Sequence, residues 1–572
     1  MSKKIFARIV VLVAAAGLFG LACAQKPEPA TFVLTNGKLV TLDKDVPAAE
    51  ALAARGDKIV AVGTAKDIAR YIGPDTEVLD LQGQLATPGW IDSHLHFTGV
   101  GRAKLSLDLT KAKNWDEIVT MVAEAVKNAK PGEVITGRGW HQEKWDKVPE
   151  PNVNGMPVHD ELSKVSPDNP VILTHASGHS SLTNAKAMEL SKITAKTPNP
   201  AGGEIIKDAK GRPIGAFLET AQGLVRGTRP SAYQARTEEE REAENRRIVE
   251  LADRECLSKG LTSVGDAGAN WQTVELYKRI IDEGKLGVRI NVMLSESAKR
   301  IAENVAAWKI SGYGADHLSV HTIKRLIDGA LGPRGAWLLE PYEDLATSSG
   351  LNTESIDVMK ETARVAIENG FQLATHAIGD RANRETLDIY EEAFKSHPEK
   401  TGLRWRIEHS QHLNPADQPR FGKLGVIASM QAIHCTSDGP WVLKRLGPKR
   451  AEEGAYVWRT LIETGATISN GTDAPVEPAD AIPGFYAGIT RKMKNGEQFF
   501  PAQKMTREEA LRSYTINSAY AAFEEGIKGS LTVGKLADVT VFTKDIMTCP
   551  EEDIPTAEIA YTIVGAKVLY KK

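Results

Sequence analysis

Two histidines with one residue between them, His94 and His96, close the run Pro88-Gly89-Trp90-Ile91-Asp92-Ser93-His94-Leu95-His96. On an extended strand, side chains two apart share a face, so both imidazoles can reach one ion. Taken alone, the pair reads equally well as polar surface. Its weight comes from other ligand-capable side chains in later apolar runs: Lys324 inside one, and His376, His409 and Asp473 each closing another. The chain's 13 histidines, scattered by chance, would fall on loops and helices, whereas these sit where strand-like segments stop. Imidazole and carboxylate together suit Zn²⁺ or another divalent cation. Thiolates are excluded as ligands, because Cys256, Cys435 and Cys549 lie far apart and make neither a zinc knuckle nor a disulfide framework.

Residues this far apart meet only if the fold brings strand ends together. Eight apolar runs, at 89–96, 260–266, 288–294, 321–328, 370–376, 403–409, 425–431 and 465–473, alternate with amphipathic stretches at 237–259, 354–369, 381–395 and 507–522. Eight strands followed by helices close into a (β/α)₈ TIM barrel, an α/β fold that gathers the C-terminal strand ends at one mouth. The barrel is assigned to 87–98 plus 216–527. Short strands with tight turns fill 30–86 and 528–572, and neither end has enough strands to bury a face alone, so the two are expected to pair as a β-sandwich. The interval 99–215 is too long for one crossover and is expected to be an inserted subdomain above the mouth.

The first 24 residues read as an export signal: Lys3, Lys4 and Arg8 precede an apolar run from Ile9 to Ala22. That run is shorter than the ~20 residues a membrane span requires. Ala22-Cys23-Ala24 offers a cleavage site, and Cys23 alternatively a lipid anchor, so the expected location is periplasmic or extracellular. A net charge of −3, with 42% apolar and 25% charged residues, describes an ordinary globular protein without a nucleic-acid footprint. The expected partner is a small-molecule substrate; a homodimer is left open.

Several further segments carry a resemblance: Gly178-His179-Ser180, Lys324 with Asp328-Gly329-Ala330-Leu331, and Thr375-His376-Ala377-Ile378-Gly379-Asp380-Arg381-Ala382-Asn383. They continue with Ile407-Glu408-His409-Ser410-Gln411-His412, Ser429-Met430-Gln431, Gly471-Thr472-Asp473-Ala474-Pro475 and Gly534-Lys535-Leu536-Ala537-Asp538. Across nearly the whole chain beyond its leader, the sequence resembles the amidohydrolase superfamily, in particular the amidohydrolase family 3 branch of N-substituted formamide deformylase-like enzymes. The resemblance implies that His94, His96, His376, His409 and Asp473 ligate one or two divalent cations. It also implies that Lys324 bridges two of them as a carbamate formed with CO₂; a structural lysine beside a one-metal site is the other reading. Such cations acidify bound water and polarise a carbonyl, and Asp473 is the residue expected to pass the proton to the leaving amine.

The implied activity is hydrolysis of an amide-type C–N bond in a small N-acyl or N-formyl compound. The same machinery serves esters, lactones and phosphoesters, and a non-catalytic exported binding or regulatory protein is a third reading. For substrate contact the candidates are His179, Trp140 and Arg334, with the tryptophan equally readable as packing and Arg334 as the partner of a structural acid. His141, Trp145 and His175 are weaker candidates. Glu408 is expected to be structural, since alternation points it away from His409.

Overall fold

The computed structural model describes residues 27–226 and 236–572. The expected signal segment and Cys23 lie outside the described residues. Among the described residues, no helix is long and apolar enough to cross a membrane, and Cys256, Cys435 and Cys549 are free thiols.

The central sheet is a nearly closed parallel barrel of eight strands: β1 (Trp90–Leu95), β2 (Leu261–Ala269), β3 (Arg289–Leu294), β4 (Leu318–Leu326), β5 (Gln372–Ala377), β6 (Arg406–His409), β7 (Ile427–Met430) and β8 (Ile468–Asn470). Each strand pairs in parallel with its sequence neighbour. Helices surround it, and their starts follow local chemistry. The helix Glu238–Ser258 opens with a capping box between Thr237 and Glu240, and Ile356–Glu368 opens on the Ser355 hydroxyl. The stretch expected as one helix at 507–522 is two, Arg507–Ser513 and Ile516–Ala521. The break leaves the Tyr514 carbonyl free to accept the Ile91 N–H on β1 at 2.7 Å.

Between β8 and β1, side chains complete the closure. The buried Asp92 carboxylate accepts the Thr472 N–H at 3.0 Å, the Thr472 hydroxyl at 2.5 Å and the His94 N–H at 3.1 Å. The Asp473 N–H then reaches the His94 carbonyl at 2.7 Å. Gly471 makes this approach possible: a Cβ there would lie 2.6 Å from both Asp92 Oδ1 and the His94 nitrogen.

Both chain ends build one two-sheet unit. In the six-stranded sheet, Leu85–Pro88 pairs antiparallel with Val539–Phe542, which pairs in turn with Ile559–Val564. The four-stranded sheet centres on Phe32–Thr35 and Ala51–Arg55, and Phe32, Leu34, Leu52, Val541 and Ile563 share the core between the sheets. A buried ion pair ties this unit to the barrel, with Arg289 of β3 donating to Asp538 at 2.8 and 3.2 Å. The six-stranded sheet of the insertion begins at Leu107–Asp108 and ends with Pro213–Glu219. Its last strand therefore runs past residue 215, because its far end packs into the barrel mouth.

Replacing Gly471 with alanine forces a methyl group into the β1–β8 closure. The expected cost is about 1–3 kcal/mol, read as a lower midpoint in denaturant unfolding; an unchanged midpoint would show that the closure tolerates displacement.

Candidate metal centre

The strand ends deliver the expected side chains to one place. His94 sits on β1, and His96 just beyond it opens the helix Phe97–Ala103. His376 lies near the end of β5, and His409 ends β6. Asp473 stands beyond the last residue of β8, in the turn that Gly471 permits. The Nε2 atoms of His94 and His96 lie 3.5 and 3.2 Å from Asp473 Oδ1, and the three residues' ligand atoms all fall within 4.8 Å of one another. The His409 ring is 4.8 Å from that of His94 and 4.4 Å from that of His376, centre to centre. His409 and Asp473 both adopt left-handed backbone, at φ 77° and 57°. Such geometry costs of order 1–3 kcal/mol and persists only where surrounding contacts enforce it.

Each ring is oriented by its other nitrogen. His94 Nδ1 bonds the Glu408 carboxylate, and His409 Nδ1 bonds Gln431 Oε1 at 2.7 Å, which in both cases leaves Nε2 to face the centre. Glu408 is fully buried and held by Arg406 and by the Ser429 hydroxyl at 2.8 Å. Its assignment as merely structural is therefore corrected: the left-handed turn at His409 breaks strand alternation, so neighbouring side chains serve the same centre.

The electrostatics suit cation ligation. Burial, aided by the Lys324 charge, pushes His94 down to about 4 despite Glu408. Burial and neighbouring positive groups hold His376 and His409 well below the usual histidine range, so these rings are neutral, the state in which imidazole binds metal. Burial opposes the Asp473 charge, but contact with His96 outweighs it and holds the carboxyl below its ordinary value. Lys324 is buried, and burial lowers it to about 8 despite Glu408 and Asp473. His94 Nε2, His376 Nε2 and Asp473 Oδ1 are buried without a hydrogen-bond partner. Buried polar atoms are rarely left so, and this set of nitrogens and oxygen fits a divalent cation.

The cleft above is lined from the barrel by His376, His409, Asp473 and Trp441, and from the insertion by His141, Lys144 and His179. His179 is fixed by Glu219, whose Oε2 lies 2.6 Å from its Nδ1, and its ring is 4.9 Å from that of His376. Burial lowers the basicity of His179, but Glu219 more than offsets it and holds the ring above its ordinary value. Two other candidates do not reach the cleft. Trp140 is buried in the core of the insertion with its Nε1 donating to the Leu173 carbonyl at 3.0 Å, so it is packing. Arg334 donates to Asp344 at 3.2 and 2.8 Å and to the Asn154 carbonyl at 3.1 Å, which makes it a clasp between barrel loop and insertion. His175 ends a strand and is satisfied by Ser177 and Gln142. Trp145 packs beside Trp115 and Trp140.

The sequence reading missed His434 and Asp438, which also line the cleft. They lie four apart on the helix Ala432–Gly454, a spacing that marks one helix face. The Gly439-Pro440 and Gly447-Pro448 pairs disguise that helix as loop.

The sequence model of the amidohydrolase family matches residues 77–570. The chain belongs to the amidohydrolase family. This amidohydrolase is 31% identical over 552 residues to protein LONG AFTER FAR-RED 3 of Arabidopsis thaliana, covering 95% of this chain and 92% of that protein. It is 27% identical to the N-substituted formamide deformylase of Arthrobacter pascens, covering 94% and 98% of the two chains. Among solved structures, an uncharacterised metal-dependent hydrolase from Pyrococcus furiosus superposes with a TM-score of 0.68 at 27% identity, over 90% of this chain and all of that one. Family membership places the chain among metal-dependent hydrolases.

Two substitutions separate the roles just described. Glu408→Gln keeps an acceptor for His94 but removes the charge, and is expected to weaken metal affinity about 10–100-fold, measured by chelator competition. Arg334→Ala is expected to cost about 1–2 kcal/mol of stability while leaving KM for a small substrate unchanged; a raised KM would return Arg334 to the substrate site.

Proposed function

We propose that this amidohydrolase cleaves an amide-type C–N bond in a small N-acyl or N-formyl compound, using one or two divalent cations. His94, His96, His376, His409 and Asp473 would hold them, with Lys324 as a bridging carbamate when two are bound. The observation that carries this reading is that His94 Nε2, His376 Nε2 and Asp473 Oδ1 are buried without hydrogen bonds at the base of one cleft, which His376 and Asp473 line and where His94 Nε2 lies 3.5 Å from Asp473 Oδ1. The lowered basicity of Lys324 supports the carbamate, since only the neutral amine adds to CO₂. The near full-length match to a formamide deformylase supports C–N over ester or phosphoester cleavage. Export, supported by the charged-then-apolar start of the chain, is part of the same proposal.

When bound, a divalent cation supplies Lewis acidity and lowers the pKa of water. The chain's residues supply the rest. Asp473 accepts a proton from the attacking water and delivers it to the leaving nitrogen, so the water oxygen bonds the carbonyl carbon as the C–N bond breaks. His179, locked by Glu219, presents its second nitrogen to the cleft and binds the acyl side of the substrate. The insertion covers the centre, and the lower effective dielectric strengthens each of these contacts.

Dialysis against a chelator is expected to abolish amide hydrolysis, and Zn²⁺ or Mn²⁺ to restore it. Bicarbonate during reconstitution should raise the metal content of the wild type and leave that of Lys324→Ala unchanged. Metal-loaded protein that cleaves esters but no amide of the same acyl group would refute the bond assignment.

A further inference from the structure

On the helix Ala432–Gly454, His434, Asp438 and Trp441 line the cleft. Arg445 continues the same face, since intervals of four, three and four residues keep side chains aligned along a helix. It is fully buried, and its guanidinium joins three segments that are far apart in sequence. Nη2 donates to Glu143 Oε1 of the insertion at 2.6 Å and to the Gly332 carbonyl, in the loop after β4, at 2.9 Å, while Nη1 bonds the Asp344 carboxylate. Glu143 also accepts from Lys444 at 3.1 Å. Burial raises the Glu143 carboxyl, but Arg445 and Lys444 outweigh it and hold it below its ordinary value.

Each of these contacts stands beside a residue of the cleft. Glu143 lies between His141 and Lys144 on the insertion, Gly332 lines the cleft itself, and Trp441 lies one helical turn before Arg445, whose Cζ is 5.8 Å from the centre of that ring. The three walls meet closely. A Cβ on Gly332 would lie 3.3 Å from His141 Nε2 and 3.5 Å from the Trp441 ring, and the His141 and Trp441 rings are 5.5 Å apart. Among the described residues, no strand of the insertion pairs with a barrel strand, so sheet pairing does not set this gap. A second ion pair, Lys144 with Glu477, spans the mouth at 3.5 Å, but it is long and the Lys144 side chain is 40% exposed, and such pairs hold little. The buried fork of Arg445 is the stronger tie.

We propose that Arg445 is a positioning residue that fixes the width of the substrate cleft, by holding the Glu143 segment of the insertion, with His141 and Lys144, against Gly332 and Trp441. This rests on the amide-cleaving reading above only in taking the cleft as the place where substrate binds. Arg445 takes no part in making or breaking bonds. It acts through the walls, so its loss loosens the ground state and the transition state alike.

The test uses metal-loaded protein and formanilide. Glu143→Gln and Arg445→Lys are each expected to raise KM about 10-fold and to leave kcat within about 2-fold, the pattern of lost uniform binding. The lysine keeps the charge but not the fork that reaches three partners at once. The double variant should be little worse than either single one, because both cut the same contact. Bound Zn²⁺ should match the wild type, while dipicolinate should strip it faster from both variants through the widened cleft. Arg334→Ala, which weakens the neighbouring Asp344 pair but leaves Glu143 against Arg445, should lose stability without either change. Variants that unfold at lower denaturant yet keep the wild-type KM and stripping rate would reduce Arg445 to a structural tie and overturn the proposal, as would a fall in kcat at constant KM. Wild-type protein that holds Zn²⁺ but leaves formanilide intact would overturn the amide reading; faster stripping from both variants would still uphold the role of Arg445, and equal rates would end it.

Discussion

A carboxylate buried beneath the centre of the barrel sets the terms for everything above it. Glu408 is fully enclosed, and an enclosed charge is tolerated only when its partners are in place. Arg406, two residues earlier on β6 and on the same face, supplies the counter-charge. The guanidinium also donates to the Ser93 carbonyl on β1 and the Ser429 hydroxyl on β7. Three strands are thus fixed against one ion pair, and the His94 ring is fixed with them. The direction in which His94 presents its free nitrogen follows from electrostatic necessity below the site rather than from anything in the cleft.

The roof obeys a comparable constraint. Glu219, at the end of the insertion's last strand, reaches into the barrel mouth beside Gly329 and Gly335. A Cβ at those positions would lie 2.0 and 2.3 Å from its Oε1. The neighbouring Asp328 accepts the N–H groups of Ile378, Gly379 and Trp337, which shapes the loop after β5. Burial raises Asp328 to about 8 although these bonds oppose the shift. The segment Asp328-Gly329 therefore serves as a socket for the insertion and an anchor for the turn following His376, whose Nε2 lies 3.5 Å from Asp328 Oδ1.

Much of this was legible in the chain because strand periodicity is a local rule. His94 and His96 stand two apart, and His376, His409 and Asp473 each close an apolar run, so barrel topology alone brings them together. Where periodicity fails, so does the reading. Glu408 and His409 look like opposite faces of a strand until the left-handed turn at His409 is seen. The helix bearing His434 and Asp438 is masked by prolines that it accommodates at kinks, including Gly447 at φ 73°. Trp140 and Arg334 could each be read in two ways, and only burial and partners decide: one is enclosed by its own subdomain, and the other is neutralised by Asp344.

The sheet shared by the two chain ends bears on how the molecule is made. Leu85–Pro88 leads directly into the ligand-bearing β1, and its antiparallel neighbour Val539–Phe542 follows the whole barrel in sequence. Contacts so distant in sequence form late. Until Val539–Phe542 is in place, this strand has an open edge just ahead of the first two histidines, so that edge waits on a segment that follows the whole barrel in sequence.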